Sequence, residues 1–152
     1  AMPDQIEAAW LARFGAKIGL RDPRPEDTDL IQSLLDLIQA DSTDFTNTFR
    51  ALSGDAARDQ FTNRAAFDAW SKKHQARIAT EPDPIATMNA ANPAVIPRNH
   101  RIEQMIEAAA SGDMAPFNRL MTALSTPFVE TDADLTRPPA ASEAVQATFC
   151  GT

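Results

Sequence analysis

Cysteine is almost absent from this 152-residue chain, and Cys150 is the single one. That excludes an intrachain disulfide, a cysteine-based zinc site and an iron-sulfur cluster built within this chain. A reducing compartment fits such usage. Glycine is scarce too, with five residues widely scattered and neither a G-x-G-x-x-G nor a G-x-x-x-x-G-K-[ST] run. A loop that wraps phosphate in backbone amides is therefore not encoded here. The chain also lacks a basic block: 14 Lys and Arg stand against 21 Asp and Glu, for a formal charge of −7. Binding along a nucleic-acid backbone needs the opposite balance. No apolar run approaches the ~18 residues that would suggest a membrane-spanning helix.

Of the two histidines, His74 and His100, neither belongs to an H-E-x-x-H motif or a close pair. A metal site would need ligands brought together only by the fold. The acidic residues show no spacing distinctive of an acid and base pair. Ile6, Trp10 and Phe14 alternate with charge near the N-terminus, which is not a secretory h-region. Ala1 ahead of Met2 reads as a cloning remnant, so a targeting signal would lie outside this sequence. Abundant Arg, Ala and Pro point to a GC-rich bacterial genome, and the expected location is the bacterial cytoplasm.

What is present is helical periodicity, and 43% hydrophobic residues suffice for a core. Ile6, Trp10, Phe14 and Ile18 recur at steps of four, the stripe of a helix packing one face on a core and stopping at Gly19. After the Asp22 to Pro25 turn, Glu26 and Asp27 place negative charge at the start of a strongly apolar helix carrying Leu30, Ile31, Leu34, Leu35, Leu37 and Ile38. Asp41 or Ser42 can cap a third helix that presents Phe45, Phe49 and Leu52. A fourth helix from Asn63 to Ala79 sets Phe67, Trp70, His74 and Ile78 on one face, making His74 a core imidazole with a hydrogen-bond partner. A short helix around Ile85 to Ala90 follows, and then extended chain to Pro97. Asn99 and Asp113 can cap two further helices that form a hairpin. Beyond Pro127 the periodicity disappears.

These readings predict an all-α fold: an irregular bundle of about six to seven helices over 1–127, with an extended or partly disordered tail over 128–152. The one concentration of positive charge, Arg98-Asn99-His100-Arg101, falls at a predicted helix N-terminus, where the dipole disfavours cations. It reads either as a site for an anion or acidic partner, or as Arg98 paired with a carboxylate elsewhere while Asn99 caps. Cys150 reads as an inert thiol on local grounds, since Phe149-Cys150-Gly151 offers no base to lower its pKa.

The stretch Met88-Asn89-Ala90-Ala91-Asn92-Pro93-Ala94-Val95-Ile96-Pro97-Arg98-Asn99-His100 resembles the M-N-x-x-N-P-x-x-x-x-R-N signature in the C-terminal part of the selenoprotein O (SelO, YdiU) family. Asp44-Phe45-Thr46-Asn47-Thr48-Phe49-Arg50 is similar to its D-F-T-x-T-F-R element, Phe67-Asp68-Ala69-Trp70 to its F-x-x-W helix, and Phe149-Cys150-Gly151-Thr152 to the end of bacterial members.

The resemblance implies a helical portion of a protein-kinase-like C-lobe and its C-terminal extension, in a pseudokinase that transfers AMP from ATP to Ser, Thr or Tyr of proteins. ATP and Mg2+, or another divalent metal, would belong to the full-length parent, whose nucleotide and metal ligands lie in a missing N-terminal catalytic part. None of those ligands can be carried onto this chain, which would itself be non-catalytic. Its partners would be that catalytic part and the parent's protein substrates, with no nucleic acid and no membrane. Cys150 becomes a redox candidate, a sulfur counterpart of the animal selenocysteine poised for a disulfide with the catalytic part. Asn92, Pro93, Arg98, Asn99 and His100 become structural candidates: Asn99 as a cap, and Arg98 as a tie from the extended segment to a buried carboxylate or carbonyl. The alternative is a stand-alone helical module that binds a protein partner in an apolar groove.

Overall fold

A computed structural model describes residues 2–144, and among these every regular element is a helix: eight α-helices and three short 3-10 turns. The all-α expectation holds. The chain divides into two compact units, Ala1–Pro93 and Ala94–Thr152, whereas the sequence reading drew its line at 127/128.

The first unit contains α1 (Met2–Lys17), α2 (Thr28–Asp41), α3 (Phe45–Ala51), α4 (Arg64–Ile78) and α5 (Pro84–Ala91). Gly19 stops α1 in the left-handed region at φ +91°, and the Leu20 amide reaches back to the Gly15 carbonyl at 2.9 Å. Such a stop favours glycine because a Cβ is strained there. Space matters as well, since a Cβ on Gly19 would meet Pro84 Cβ at 3.1 Å and Met88 Cγ at 3.3 Å. Inside α1, a Cβ on Gly15 would stand 2.6 Å from Pro23 Cβ. The glycine thus lets the proline turn lie against the helix.

The expected start of the third helix needs correction. Helix α2 continues through Asp41 and ends on Ser42 in the left-handed region, so Asp44 is the cap of α3 and accepts from the Asn47 amide at 2.8 Å. Asp41 instead receives the Thr62 and Asn63 amides, at 2.5 and 2.9 Å. The core of this unit combines Ile18, Leu20, Ile31, Leu34, Ile38, Phe49, Phe61, Phe67 and Trp70. Phe61 stacks on Phe67 at 4.7 Å, and the Trp70 indole N–H donates to the Leu30 carbonyl at 2.9 Å, tying α4 to α2.

A buried charge network closes the same unit. Asp27 is held by the Arg77 guanidinium at 2.6 and 3.0 Å and by the Arg24 amide at 2.8 Å, and Arg77 also grips Glu81 at 2.7 Å. Asp27 was expected to serve the helix dipole; its main partner, fifty residues away in the chain, was not legible in the sequence.

The second unit, described to Ala144, holds α6 (Asn99–Ala110), α7 (Ala115–Ser125) and α8 (Ala133–Thr136). Gly112 at φ +91° ends the turn after α6, as Gly19 does after α1. Val95, Leu120, Ala123 and Leu135 form its core. The extended segment before α6 is fixed to the turn after α7, where the Pro127 carbonyl accepts from the Ala94 and Val95 amides at 2.8 and 3.3 Å. Residues 128–144, assigned by periodicity to an aperiodic tail, contain the one-turn helix α8, whose Leu135 is buried. A four-residue helix is too short for periodicity to reveal.

Candidate functional site

Two signatures singled out in the sequence meet in the first unit. Arg50, the last residue of the Asp44 to Arg50 motif, donates from one guanidinium nitrogen to the Asn89 and Asn92 carbonyls at 3.3 and 3.0 Å. It thereby satisfies C-terminal carbonyls of α5 that have no partner within the helix, a place where the dipole favours a cation. Asn92 is 1% exposed, and its side-chain amide works in both directions. Its Nδ2 donates to the Lys17 carbonyl at 2.8 Å, and its Oδ1 accepts from Lys17 Nζ at 3.3 Å. Lys17 Nζ also donates to the Ala91 carbonyl at 3.3 Å and lies 5.8 and 5.5 Å from the ring centres of Phe45 and Phe49. Burial lowers the Lys17 pKa, while the ring faces favour the cation. The result is a clamp that joins the ends of α1 and α5 to α3. Sequence reasoning nominated Asn92 and Pro93 and missed Lys17 and Arg50 as the partners of Asn92. The dipole rule for a basic residue facing a helix C-terminus was the signal available for Arg50.

His74 is a buried core imidazole, stacked on Trp70 at 4.7 Å and 14°. Its Nε2 bonds the Ile18 carbonyl at 2.7 Å, so that nitrogen carries the proton. Burial lowers its pKa, against the smaller upward effect of that bond. His74 also lines a cavity of about 420 Å3 with Trp70, Ile85 and Met88.

In the second unit, the Arg98 to Arg101 cluster does sit at a helix N-terminus, but its parts differ from expectation. Arg98 occupies the N-cap position of α6 without a side-chain cap bond, and Asn99 is the first helical residue. Asn99 as the cap is therefore corrected: the Arg98 backbone is already extended, at ψ 135°, and the helix begins one residue earlier than a capping asparagine would place it. Arg98 and His100 are buried, at 8% and 3% exposure, and Asn99 is exposed. His100 Nε2 has no hydrogen-bond partner among the described residues. Burial, followed by the Arg101 charge, lowers the His100 pKa.

Arg101 turns to α8, bonding the Asp134 carboxylate and, at 2.7 Å, the Asp134 carbonyl. Arg119 on α7 pairs with Asp132 and, at 3.4 Å, with Asp134. Arg137 holds Glu143 through two bonds at 2.7 and 2.8 Å, and that carboxyl is pulled down to about 2 by Arg137 and the Ala140 amide. The carboxylates of the expected tail thus serve as counter-ions to the arginines of this unit. Cys150 lies outside the described residues.

Among the described residues no group of three or more His, Cys, Asp or Glu is placed to hold a metal ion, and no helix is long and apolar enough to cross a membrane. Arg50 is committed to a helix end, and Arg77, Arg101, Arg119 and Arg137 to carboxylates.

The family model described as "Protein adenylyltransferase SelO" matches residues 3–125. The chain belongs to the SelO family. Curated relatives carry the name "Protein nucleotidyltransferase YdiU": the protein of Roseobacter denitrificans is 58% identical over 152 residues, covering 100% of this chain and 32% of that protein. That of Ruegeria sp. (strain TM1040) is 56% identical over 154 residues, with 100% and 33% covered. The Agrobacterium fabrum protein is 45% identical over 156 residues, with 94% and 32% covered. The chain thus spans about a third of the length of the SelO-family relatives it matches. The clamp of Lys17, Arg50 and Asn92 falls inside the matched region.

Proposed function

We propose that this chain is the non-catalytic, C-terminal helical portion of a cytoplasmic SelO-type protein adenylyltransferase. The whole protein would join the α-phosphorus of ATP to a Ser, Thr or Tyr hydroxyl oxygen of a protein as pyrophosphate leaves, with Mg2+ or another divalent metal. The reading is carried by one observation: a family match over residues 3–125 in a chain that covers a third of its relatives. Its role would be to give the reaction centre a rigid helical support, because nucleotidyl transfer depends on positioned charges. The C-terminal placement rests on the resemblance of the Met88 to His100 stretch to the signature in the C-terminal part of the family. Cys150 would tether the tail to a cysteine of the catalytic part by a disulfide, made at the expense of a thiol oxidant.

The test is nucleotide titration of the 152-residue chain beside the full-length protein, with and without Mg2+. Metal-dependent ATP binding by the full-length protein and none by the chain is expected. Nucleotide binding or protein adenylylation by the chain alone overturns the reading, and a catalytic region encoded downstream instead of upstream overturns the placement.

A further inference from the structure

The four-residue stripe of α1 is buried at one end and bare at the other. Ile18 is 0% exposed and Phe14 packs on the core, Trp10 is half-buried, and Ile6 is 63% exposed. Nothing in the periodicity distinguishes Ile6 from Phe14. The difference is that the core of the first unit ends before it reaches Ile6. Beside this bare end lies a groove of about 740 Å3 between α1 and the start of α2, lined by Ile6, Trp10, Leu11 and Pro25, with Glu7 among its polar residues. Ile6 and the half-buried Trp10 together leave the apolar stripe of α1 open at this groove, a face that another segment can cover.

Tethering and charge select the occupant. A small contact is populated when a tether raises the effective concentration of its partner. A tether is at hand on the reading above, because about two-thirds of the relatives' length lies outside this chain. Glu7 is exposed at the groove, so a cation beside the inserted side chain is favoured there.

We propose that the groove formed by Ile6, Trp10, Leu11 and Pro25 seats a segment of the same polypeptide lying outside these 152 residues, an apolar side chain flanked by Lys or Arg. This inference rests on the function proposed above. The stripe of α1 is then continuous in the full-length protein, and the helix acts as a strut shared between the first unit and the part that holds the nucleotide.

The experiment places the photo-crosslinking residue benzoylphenylalanine at position 6 of the full-length protein, followed by irradiation and peptide mapping. A crosslink within one molecule to a segment outside the 152 residues, unchanged on dilution, is expected. Crosslinks that vanish on dilution, that stay within the 152 residues or that do not form overturn the proposal. A second measurement guards against misfolding of that variant. Ile6→Ser is expected to lower the melting temperature of the full-length protein by several degrees and that of the 152-residue chain by less than one degree; equal shifts overturn the proposal. Full-length protein that binds ATP without the crosslink defeats the groove alone, whereas the crosslink in a protein that binds no nucleotide defeats the functional reading alone.

Discussion

The Arg50 guanidinium donates to the Asn92 backbone carbonyl at 3.0 Å across 42 positions of sequence, so two separate family motifs form one clamp. Hydrogen bonds from a charged group contribute about 1.5–3 kcal/mol each. Arg50→Ala is expected to lower the stability of the first unit by about that much, and Asn92→Ala by about 1–3 kcal/mol through the unpaired Lys17 carbonyl. Because Arg50 bonds the backbone carbonyl at position 92, which alanine keeps, the two substitutions remove different bonds and the double variant should lose about the sum of the single losses. Urea unfolding of the four proteins checks this, and a loss well away from the sum would show that the two bonds depend on each other.

Gly19→Ala is expected to destabilise by about 1–2 kcal/mol from its left-handed backbone alone, with a further loss from contact with Pro84 and Met88. Gly112→Ala has the same backbone cost, but no heavy atom lies within 4 Å of its added Cβ. Melting curves should therefore rank Gly19→Ala as the more damaging. The reverse order would contradict the close approach of α5 to α1.

Stability should fall on acidification in two stages. The lowered pKa of buried His74 means that the unfolded chain takes up a proton more readily, so its contribution is complete above the ordinary value of 6.5 and erodes as pH falls towards the folded value. Burial pushes Asp27 up, but the bonds from Arg77 and the Arg24 amide outweigh it and leave the carboxyl below its ordinary 3.8. Stability from Asp27 is therefore full above 3.8 and disappears as pH drops through the folded value. Melting temperatures between pH 8 and pH 3 are the measurement. In His74→Phe the upper slope should be shallower. In Arg77→Gln the lower stage should become shallower, since burial then raises the Asp27 pKa without the opposing guanidinium and the folded chain no longer resists the proton more than the unfolded one. An unchanged profile in both variants would exclude these groups as its cause.

The sequence conveyed what depends on local spacing. The periodic stripes located α1, α2, α4, α6 and α7, and Gly19 and Gly112 marked real stops, because helical periodicity and left-handed backbone are short-range properties. Long-range pairing was not legible: nothing near Asp27 points to Arg77, and nothing near Asn92 points to Lys17. The caps at Asp41 and Asn99 failed for a related reason. Polar residues that can cap stand at several adjacent positions, and tertiary partners such as the Thr62 and Asn63 amides decide which one does. The motif residues themselves were visible, but their roles needed the partner, and only the fold supplies it.

Asn92 closes the interior of one unit, and Val95, three positions later, already belongs to the interior of the next, each at 1% exposure. A boundary drawn by contacts is therefore a poor place for scissors. Cutting at this joint would leave each of these buried residues one position from a new chain end, where backbone frays, so any dissection must overlap the junction instead of dividing it.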